Sequence, residues 1–189
     1  MPQQRETRRA IFLDRDGVIN RAIVRAGRPF SPRTLEALEI LPGVPEALSD
    51  LRRAGFMLIV VTNQPDIARG LMDAAQVERL NAALQSRLGF DQILVCPHDT
   101  ADGCACRKPK PGLLLRAAET WGIHLPESYM VGDRKGDMEA GTRARCRTVF
   151  LAHGYDEPQP ERADLCVKSL LEAVPWIVQP KPPLGKGSP

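Results

Sequence analysis

Short apolar runs alternate along the chain with segments whose apolar residues recur at helical spacing. Short apolar runs bounded by polar and turn-forming residues are typical of buried strands. The runs predicted as strands are Ala10–Leu13, Met57–Val61, Gln92–Val95, Tyr129–Val131 and Thr148–Leu151.

The segments between these strands carry the helical period. In the first of them, Val44, Ala47, Leu48 and Leu51 follow the i, i+3, i+4, i+7 spacing of a helix with one buried face. Further helices are predicted over residues 77–88 after an N-cap at Asp73, from Pro111 to Gly122, over 138–145 and over 170–178.

This alternation predicts an α/β fold, with a Rossmann-like, mostly parallel sheet and helices on both faces. The 189 residues have room for a single domain over 10–178 and for no large cap domain. The polar segment 1–9 is expected to be flexible, and the Pro/Gly-rich tail 179–189 to be disordered. Ligands of such sheets bind at the carboxyl ends of the strands, so polar residues there are candidates for function.

Composition narrows the possible partners. The formal net charge is +3, and the nine aromatic residues are not interleaved with basic ones. A mildly basic chain suits a phosphorylated ligand, whereas nucleic-acid binding needs a stronger basic surface. The apolar runs are too short for a signal sequence or a membrane span. We therefore expect a cytoplasmic monomer with neither a nucleic-acid nor a membrane partner.

Two carboxylates directly follow the first predicted strand. Asp14 and Asp16 lie two residues apart, and Gly17 after them permits a sharp turn. Such a pair can hold Mg²⁺ together with a phosphate. One carboxylate can then attack phosphorus while the other handles the leaving-group proton. The pair alone also fits an acidic turn or a calcium loop, although the further oxygen ligands of a calcium loop are missing.

Two later motifs supply groups that can hold a phosphate. Thr62 and Asn63 end the second strand, where a hydroxyl and backbone N–H groups can bind phosphate oxygens. Arg107 and Lys108 precede the third helix, whose N-terminus already favours anions. By themselves these motifs also fit a capping threonine and a solvated basic turn.

A second acidic pair follows the fourth strand. Asp133 is placed to complete a metal shell with Asp14 and Asp16, and Asp137 could bind the metal through water or orient Lys108. A surface salt bridge is the alternative for this pair alone. Because all these motifs fall at strand ends or helix starts, together they indicate a site for phosphoryl transfer.

The order DxDG, Thr, Lys and GDxxxD resembles the haloacid dehalogenase-like phosphatase superfamily over most of the chain. The resemblance implies that Asp14 forms an aspartyl-phosphate and that Asp16 acts as general acid and then as general base. It implies that Thr62 and Lys108 stabilise the phosphoryl group, and that Mg²⁺ is held by Asp14, Asp133 and the backbone carbonyl of Asp16. A catalytically silent binding module would lack such residues.

Three cysteines and one histidine cluster before the basic motif. They are Cys96, His98, Cys104 and Cys106. Three thiolates and an imidazole within eleven residues predict a closed, structural Zn²⁺ site, that is, a small zinc-binding loop over 96–106. Zinc there would fix the segment that leads into Arg107 and Lys108. The remaining Cys146 and Cys166 are expected to be buried.

The resemblance can be narrowed to a subgroup of the superfamily by the predicted zinc loop and the sequence CRKPKPG at its end. The chain is similar to the subgroup of D-glycero-D-manno-heptose 1,7-bisphosphate 7-phosphatases and bifunctional histidinol-phosphatases. This implies hydrolysis of the 7-phosphate of a heptose bisphosphate, with histidinol phosphate or another small sugar phosphate as the alternative. Asn63, Arg107 and Arg134 would contact the substrate. A remote phosphate would meet Arg107, Arg25 or Arg28, and Arg25 is our candidate in that basic segment.

Overall fold

The computed structural model describes residues 8–180. The expectations of a flexible start and a disordered tail concern mainly residues 1–7 and 181–189, which lie outside the described part. Arg9 already belongs to the first strand, so regular structure begins just before the predicted boundary at residue 10.

A parallel sheet forms the centre of the molecule. Within residues 8–180 its strands are β1 (Arg9–Leu13), β4 (Phe56–Asn63), β5 (Gln92–Cys96), β6 (Tyr129–Gly132), β7 (Arg147–Leu151) and β8 (Leu165–Val167). They lie in the order β5-β4-β1-β6-β7-β8, and every neighbouring pair is parallel. The five predicted strands are confirmed, each within two residues at either end. The strand β8 was missed because three residues are too few to show a period.

Helices cover both faces of this sheet. Those within residues 8–180 are α1 (Val44–Arg53), α2 (Ala74–Leu88), α3 (Gly112–Trp121), α4 (Lys135–Arg143) and α5 (Leu170–Val178). Buried residues of α1, α2 and α5 pack in one core with Leu13 of β1, whereas those of α3 and α4 pack in a second core with Phe12. The predicted α/β fold is therefore confirmed. Among the described residues no helix is both long and apolar enough to cross a membrane.

Local sequence sets the helix ends. Asp73 caps α2, since its carboxylate accepts a hydrogen bond from the Gln76 N–H at 2.6 Å and the Gln76 side chain accepts one from the Asp73 N–H at 2.7 Å. Helix α3 begins after Pro111 and ends at Gly122, which adopts the left-handed conformation. Helix α4 begins at Lys135, three residues before its predicted start.

A two-stranded hairpin interrupts the chain between β1 and α1. It consists of β2 (Ile23–Arg25) and β3 (Arg28–Phe30) in antiparallel pairing. Its turn residues Ala26 and Gly27 have φ angles of 48° and 74°, as a type I′ turn requires. The basic sequence of this segment lacks a clear apolar alternation, which is why the hairpin was not predicted.

The two cysteines outside the zinc loop differ in burial. Cys146 is buried, as expected, whereas Cys166 is exposed, so its predicted burial is wrong. Cys166 lies on β8, which is an edge strand whose outward positions face solvent.

Candidate active site

The carboxyl ends of the central strands β1, β4 and β6 meet at one edge of the sheet. Asp14 follows β1 directly, and its N–H donates to the Val131 carbonyl at 2.9 Å. A cavity of about 280 Å³ opens at this edge. The predicted residues that line it are Asp14, Asp16, Asn63, Arg107, Lys108, Arg134 and Asp137. A larger, more apolar cleft of about 570 Å³ lies between α2 and β5, and the predicted site residues do not line it.

Lys108 is buried in the floor of the cavity among oxygen atoms. Its Nζ donates to Asp14 Oδ1, to Asp137 Oδ1 and to the Val61 carbonyl, each at 2.7 Å. Burial lowers the pKa of this amine, but the two carboxylates outweigh burial and raise it. Lys108 is therefore charged, and Asp137 orients it, which was one of the two roles considered for that aspartate.

Asp14 is an ionisable group in an unfavourable environment. Burial raises its pKa to about 6, Lys108 opposes this rise, and the charges of Asp137 and Asp16 add to it. A carboxylate that burial and like charges destabilise gains when a cation or an electrophile approaches. This is the expected condition of a nucleophile before its metal and substrate bind.

Asn63 fixes the backbone that carries the lysine. Its Nδ2 donates to the Lys108 carbonyl at 3.0 Å, and its Oδ1 accepts from the Lys108 N–H at 3.1 Å. Arg107 donates from Nη1 to the His98 carbonyl at 3.1 Å, which ties the same segment to the cysteine loop. Asn63 therefore reaches the cavity, and the structure also gives it a positioning role that the sequence did not indicate.

Asp133 is buried, and neither of its carboxylate oxygens makes a hydrogen bond with the described residues. Burial raises its pKa well above the ordinary value, and the charges of Asp14 and Asp137 raise it further. One oxygen from each of these three aspartates lies within 4.8 Å of the others. The buried Asp133 carboxylate without a partner needs an explanation, and a hard divalent cation bound by the oxygens of this cluster provides one.

Two glycines allow this close approach. Gly17 has a φ of 92°, and a Cβ at this position would collide with Asp133 Oδ2. A Cβ at Gly132 would collide with the Asp137 side chain. The glycines of the DxDG and GDxxxD motifs thus keep space for the carboxylates.

The Asp16 carboxylate does not join this cluster. It forms an ion pair with the fully buried Arg15, with Arg15 Nε to Oδ1 at 3.0 Å and Arg15 Nη2 to Oδ2 at 2.9 Å. Asn20, Ser31 and Gln64 donate to it at 2.9, 2.7 and 3.0 Å. These donors hold the Asp16 carboxylate outside the group of Asp14, Asp133 and Asp137, so the structure does not bring it together with Asp14 and Asp133 as the sequence suggested. The backbone carbonyl of Asp16 stays a predicted ligand.

These contacts decide the charge of Asp16. Burial would raise its pKa, but the Arg15 charge and the hydrogen bonds from Arg15, Ser31 and Asn20 prevail and lower it. Asp16 is thus an ionised hydrogen-bond acceptor in this state. Arg15 was missed as a functional residue, although an arginine between two aspartates after a buried strand is a signal that could have been used.

The other predicted contacts are placed as follows. Thr62 is buried, and its Oγ1 accepts from Gln64 Nε2 at 2.8 Å. Arg134 donates from Nη2 to the Pro29 carbonyl of the hairpin. Arg25 does not line the cavity, whereas its cross-strand neighbour Arg28 does.

Tyr155 is a further site residue, from the loop after β7. Its hydroxyl and Asp133 Oδ2 both lie close to the point where a Cβ on Gly17 would stand. Burial raises the pKa of Tyr155, and the Asp133 charge raises it further. In the same loop His153 Nε2 lies 2.6 Å from the Gly17 carbonyl oxygen. No motif marked these residues, since they are distant in sequence from the groups they approach.

The four predicted zinc ligands converge. The Cys96 Sγ lies 3.6 Å from Cys104 Sγ and 3.1 Å from Cys106 Sγ, and the latter two are 3.4 Å apart. His98 Nδ1 lies 3.4 Å from Cys106 Sγ and 3.7 Å from Cys96 Sγ. Two sulfurs at 2.3 Å from a tetrahedral zinc are about 3.8 Å apart, so a slight expansion of the cluster fits the ion.

A buried aspartate paired with a lysine, beside one buried carboxylate that lacks a hydrogen-bond partner, lies at the carboxyl edge of a parallel sheet. This arrangement is the one expected of a phosphoryl-transferring α/β hydrolase. Residues 105–173 match the HAD-hydrolase-like family model. The chain belongs to this family of HAD-like phosphatases, because curated relatives match it over nearly their whole length.

The relatives are named D-glycero-beta-D-manno-heptose-1,7-bisphosphate 7-phosphatase. That of Helicobacter pylori (strain J99) is 37% identical over 90% of this chain and 98% of its own length. The relative from Pseudomonas aeruginosa is 38% identical over 82% of this chain and 90% of its own length. A crystal structure of the D,D-heptose 1.7-bisphosphate phosphatase from B. bronchiseptica, complexed with magnesium and phosphate, has a TM-score of 0.76 at 30% identity and covers 90% of this chain and 98% of that one.

Proposed function

We propose that this phosphatase removes the 7-phosphate of D-glycero-D-manno-heptose 1,7-bisphosphate with Asp14 as the nucleophile. The observation that carries the proposal is the floor of the cavity, where Lys108 joins Asp14 and Asp137 at 2.7 Å beside the unpartnered carboxylate of Asp133. The relatives named for this reaction support the choice of substrate.

Magnesium is the cofactor that this cluster fits. Asp14, Asp133 and the backbone carbonyl of Asp16 would hold it, and Asp137 lies close enough to take part through water. When bound, Mg²⁺ supplies positive charge that screens the carboxylates and polarises the phosphoryl oxygens. The solved relative that contains magnesium and phosphate supports this assignment.

The proposed reaction has two halves. First, an Asp14 carboxylate oxygen attacks phosphorus, the bond between phosphorus and the sugar oxygen breaks, and the leaving oxygen takes a proton from Asp16. Water then attacks the aspartyl-phosphate and gives its proton back to Asp16, which releases inorganic phosphate and restores Asp14. Lys108 and the Thr62 hydroxyl donate hydrogen bonds to the transferred phosphoryl oxygens in both halves.

The ion pair with Arg15 keeps Asp16 ionised in the free enzyme, which affects its role in each half of the reaction. An ionised Asp16 can accept a proton from water in the second half, but it cannot protonate a leaving group. The first half therefore requires Asp16 to loosen its bonds to Arg15 and take up a proton before phosphorus transfer. Ser31 and Gln64 also hold the carboxylate, so this release involves the cavity wall as well.

Zinc is the second proposed metal, held by the four residues Cys96, His98, Cys104 and Cys106. Within this loop Lys110 Nζ donates to the carbonyls of Gly103 and Cys104 at 2.6 and 2.8 Å. A closed Cys₃His site has no open position for substrate, so its contribution is to the fold of the segment that presents Arg107 and Lys108. The cytoplasmic location and the monomeric state stay predictions.

A phosphate-release assay tests the substrate. Purified enzyme with Mg²⁺ is given heptose 1,7-bisphosphate, histidinol phosphate and a panel of small sugar phosphates, and kcat/KM is measured for each. We expect heptose bisphosphate to be the best substrate. A preference for histidinol phosphate would instead support the alternative that the zinc-loop resemblance leaves open.

A further inference from the structure

The walls of the cavity hold equal numbers of cationic and acidic side chains. Five of each line it: Arg28, Arg69, Arg107, Lys108 and Arg134 against Asp14, Asp16, Asp66, Asp137 and Glu157. A bisphosphate adds about −1.5 to −2 charges for each phosphate at neutral pH. The reacting phosphate meets Lys108 and the proposed magnesium, so the second phosphate needs a cation that is not already engaged.

Most cations of the cavity already have partners. Arg69 forms a two-pronged pair with Asp99, with Nε to Oδ2 at 2.6 Å and Nη2 to Oδ1 at 3.0 Å. Arg134 donates to the Pro29 carbonyl and lies 3.7 Å from a Glu157 oxygen.

Arg107 is engaged in part. It donates to the His98 carbonyl and lies 4.0 Å from Asp99. Arg28 is different, because its guanidinium makes neither a hydrogen bond nor an ion pair with any described residue from 8 to 180.

The segment that carries Arg28 is held in place from both sides. The Asp156 N–H donates to the Gly27 carbonyl at 2.9 Å, directly before Arg28, and Arg134 binds the Pro29 carbonyl directly after it. Ser31 then bonds to Asp16 at 2.7 Å. The backbone around Arg28 is thus fixed relative to the catalytic floor, which lowers the entropic cost of using its side chain as a ligand.

We infer that Arg28 is the specificity-determining residue that receives the second, non-reacting phosphate and makes the enzyme prefer a sugar bisphosphate to a monophosphate. The inference rests on the proposed function, whose catalytic floor receives the reacting phosphate. It replaces Arg25, which lies opposite Arg28 in the hairpin but does not line the cavity. Because the Arg28 guanidinium has no partner among the described residues, it can bind a phosphate without breaking a contact to any of them.

The test compares two substrates that differ only in the second phosphate. With Mg²⁺ present, kcat/KM is measured for heptose 1,7-bisphosphate and for heptose 7-phosphate, and their ratio is the bisphosphate preference. Arg28→Gln should lower kcat/KM for the bisphosphate about 10- to 100-fold, as expected for a charge-assisted hydrogen bond. The loss should appear mainly in KM, while the value for the monophosphate stays within about threefold.

Arg25→Gln is the matched control, with the same change of charge in the same hairpin, and it should keep the preference within about threefold. Arg28→Lys retains the charge but not the two-pronged hydrogen bonding of a guanidinium, so it should recover part of the bisphosphate preference that Arg28→Gln loses.

The outcomes separate this inference from the proposed function. If the wild-type enzyme prefers the bisphosphate but Arg28→Gln keeps that preference, the assignment of Arg28 is overturned and the proposed function stands. Equal losses in Arg25→Gln and Arg28→Gln would also overturn it, since they would indicate a general charge effect. A wild-type enzyme that treats the two heptose substrates alike would overturn the assignment of Arg28, whereas one that hydrolyses neither of them would overturn the proposed function.

Discussion

Replacement of Asp14 by asparagine should abolish turnover and at the same time make the protein more stable. Asparagine has nearly the same shape and keeps an oxygen that can accept the hydrogen bond from Lys108. It cannot form the aspartyl-phosphate, and it removes one of three carboxylates that crowd within 4.8 Å. The same substitution therefore has opposite effects on chemistry and on folding.

The size of the gain follows from the pKa of Asp14. Burial raises it from 3.8 to about 6, and each unit corresponds to about 1.4 kcal/mol. The ionised carboxylate thus lowers the free energy of unfolding by roughly 3 kcal/mol at pH 7.5, which asparagine would restore. For a domain of this size that is a rise in Tm of about 6–12 °C.

The pH dependence has a defined sign. Because the pKa of Asp14 is raised in the folded state, the penalty is complete above about pH 6 and fades as the pH falls toward 3.8. The stability difference between variant and wild type should therefore shrink to about half by pH 5.

Asp16→Asn is the matched control. It makes the same chemical change two residues away, but the pKa of Asp16 is lowered and its carboxylate pairs with buried Arg15. Loss of the Asp16 charge leaves the Arg15 charge buried without a counter-ion, which should lower the free energy of unfolding by about 3 kcal/mol. This is the lower end of the range for a broken buried ion pair, because Arg15 keeps its hydrogen bond to Asn81 at 3.0 Å.

The assay is thermal unfolding in buffer without added magnesium, combined with a phosphate-release assay in its presence. Magnesium is omitted from the first measurement because its binding would stabilise the wild type and mask the effect. We expect both variants to be inactive, with Tm raised for Asp14→Asn and lowered for Asp16→Asn. If the two variants shift Tm in the same direction, the electrostatic account of the site is wrong. Turnover by Asp14→Asn at the original rate would refute its role as nucleophile.

Two further predictions concern the metals. Cys104→Ser should reduce the zinc content, measured by elemental analysis, below the value of about one ion per chain expected for the wild type. Cys166→Ser, at an exposed cysteine outside the loop, should leave the zinc content unchanged. Wild-type protein that contains no zinc and has freely titratable thiols would contradict the zinc site. Tyr155→Phe should raise the Mg²⁺ concentration for half-maximal activity about tenfold, because the Tyr155 hydroxyl lies beside the Asp133 carboxylate that would hold the metal. Tyr129→Phe, which removes a buried hydroxyl bonded to a backbone carbonyl far from the cavity, is the control, and equal effects of the two substitutions would rule out a specific role for Tyr155.

The sequence predicts features that depend on nearby residues or on a shared edge of the sheet. Asp73 and Gly122 mark helix ends because a cap needs only its own turn. Asp14, Lys108 and Asp133 could be assigned to one site because parallel strands bring their carboxyl ends together.

What the sequence does not show is the direction of a side chain. Arg15 stands within the first motif, yet only the packed structure reveals that it binds Asp16 and Asn81. The choice between Arg25 and Arg28 depends on the path of a hairpin that has no apolar period. Tyr155 reaches the cluster of Asp14, Asp133 and Asp137 from a loop about 140 residues from Asp14, and such contacts leave no local pattern.

The position of β1 in the sheet has a consequence for biosynthesis. This strand is central, hydrogen-bonded to β4 on one side and to β6 on the other, yet it precedes the other described strands in the chain and leaves the ribosome before them. Its second neighbour begins only at Tyr129, so at 5–20 residues per second β1 waits for about 6 to 23 s with one edge unpaired.

During that interval an apolar strand with free N–H and C=O groups can pair with other chains. Asp14 at its end therefore acquires its environment late, because Asp133 is synthesised 119 residues after it. A truncated chain that stops before β6 should consequently be prone to aggregate through the unpaired edge of β1 and should have no activity.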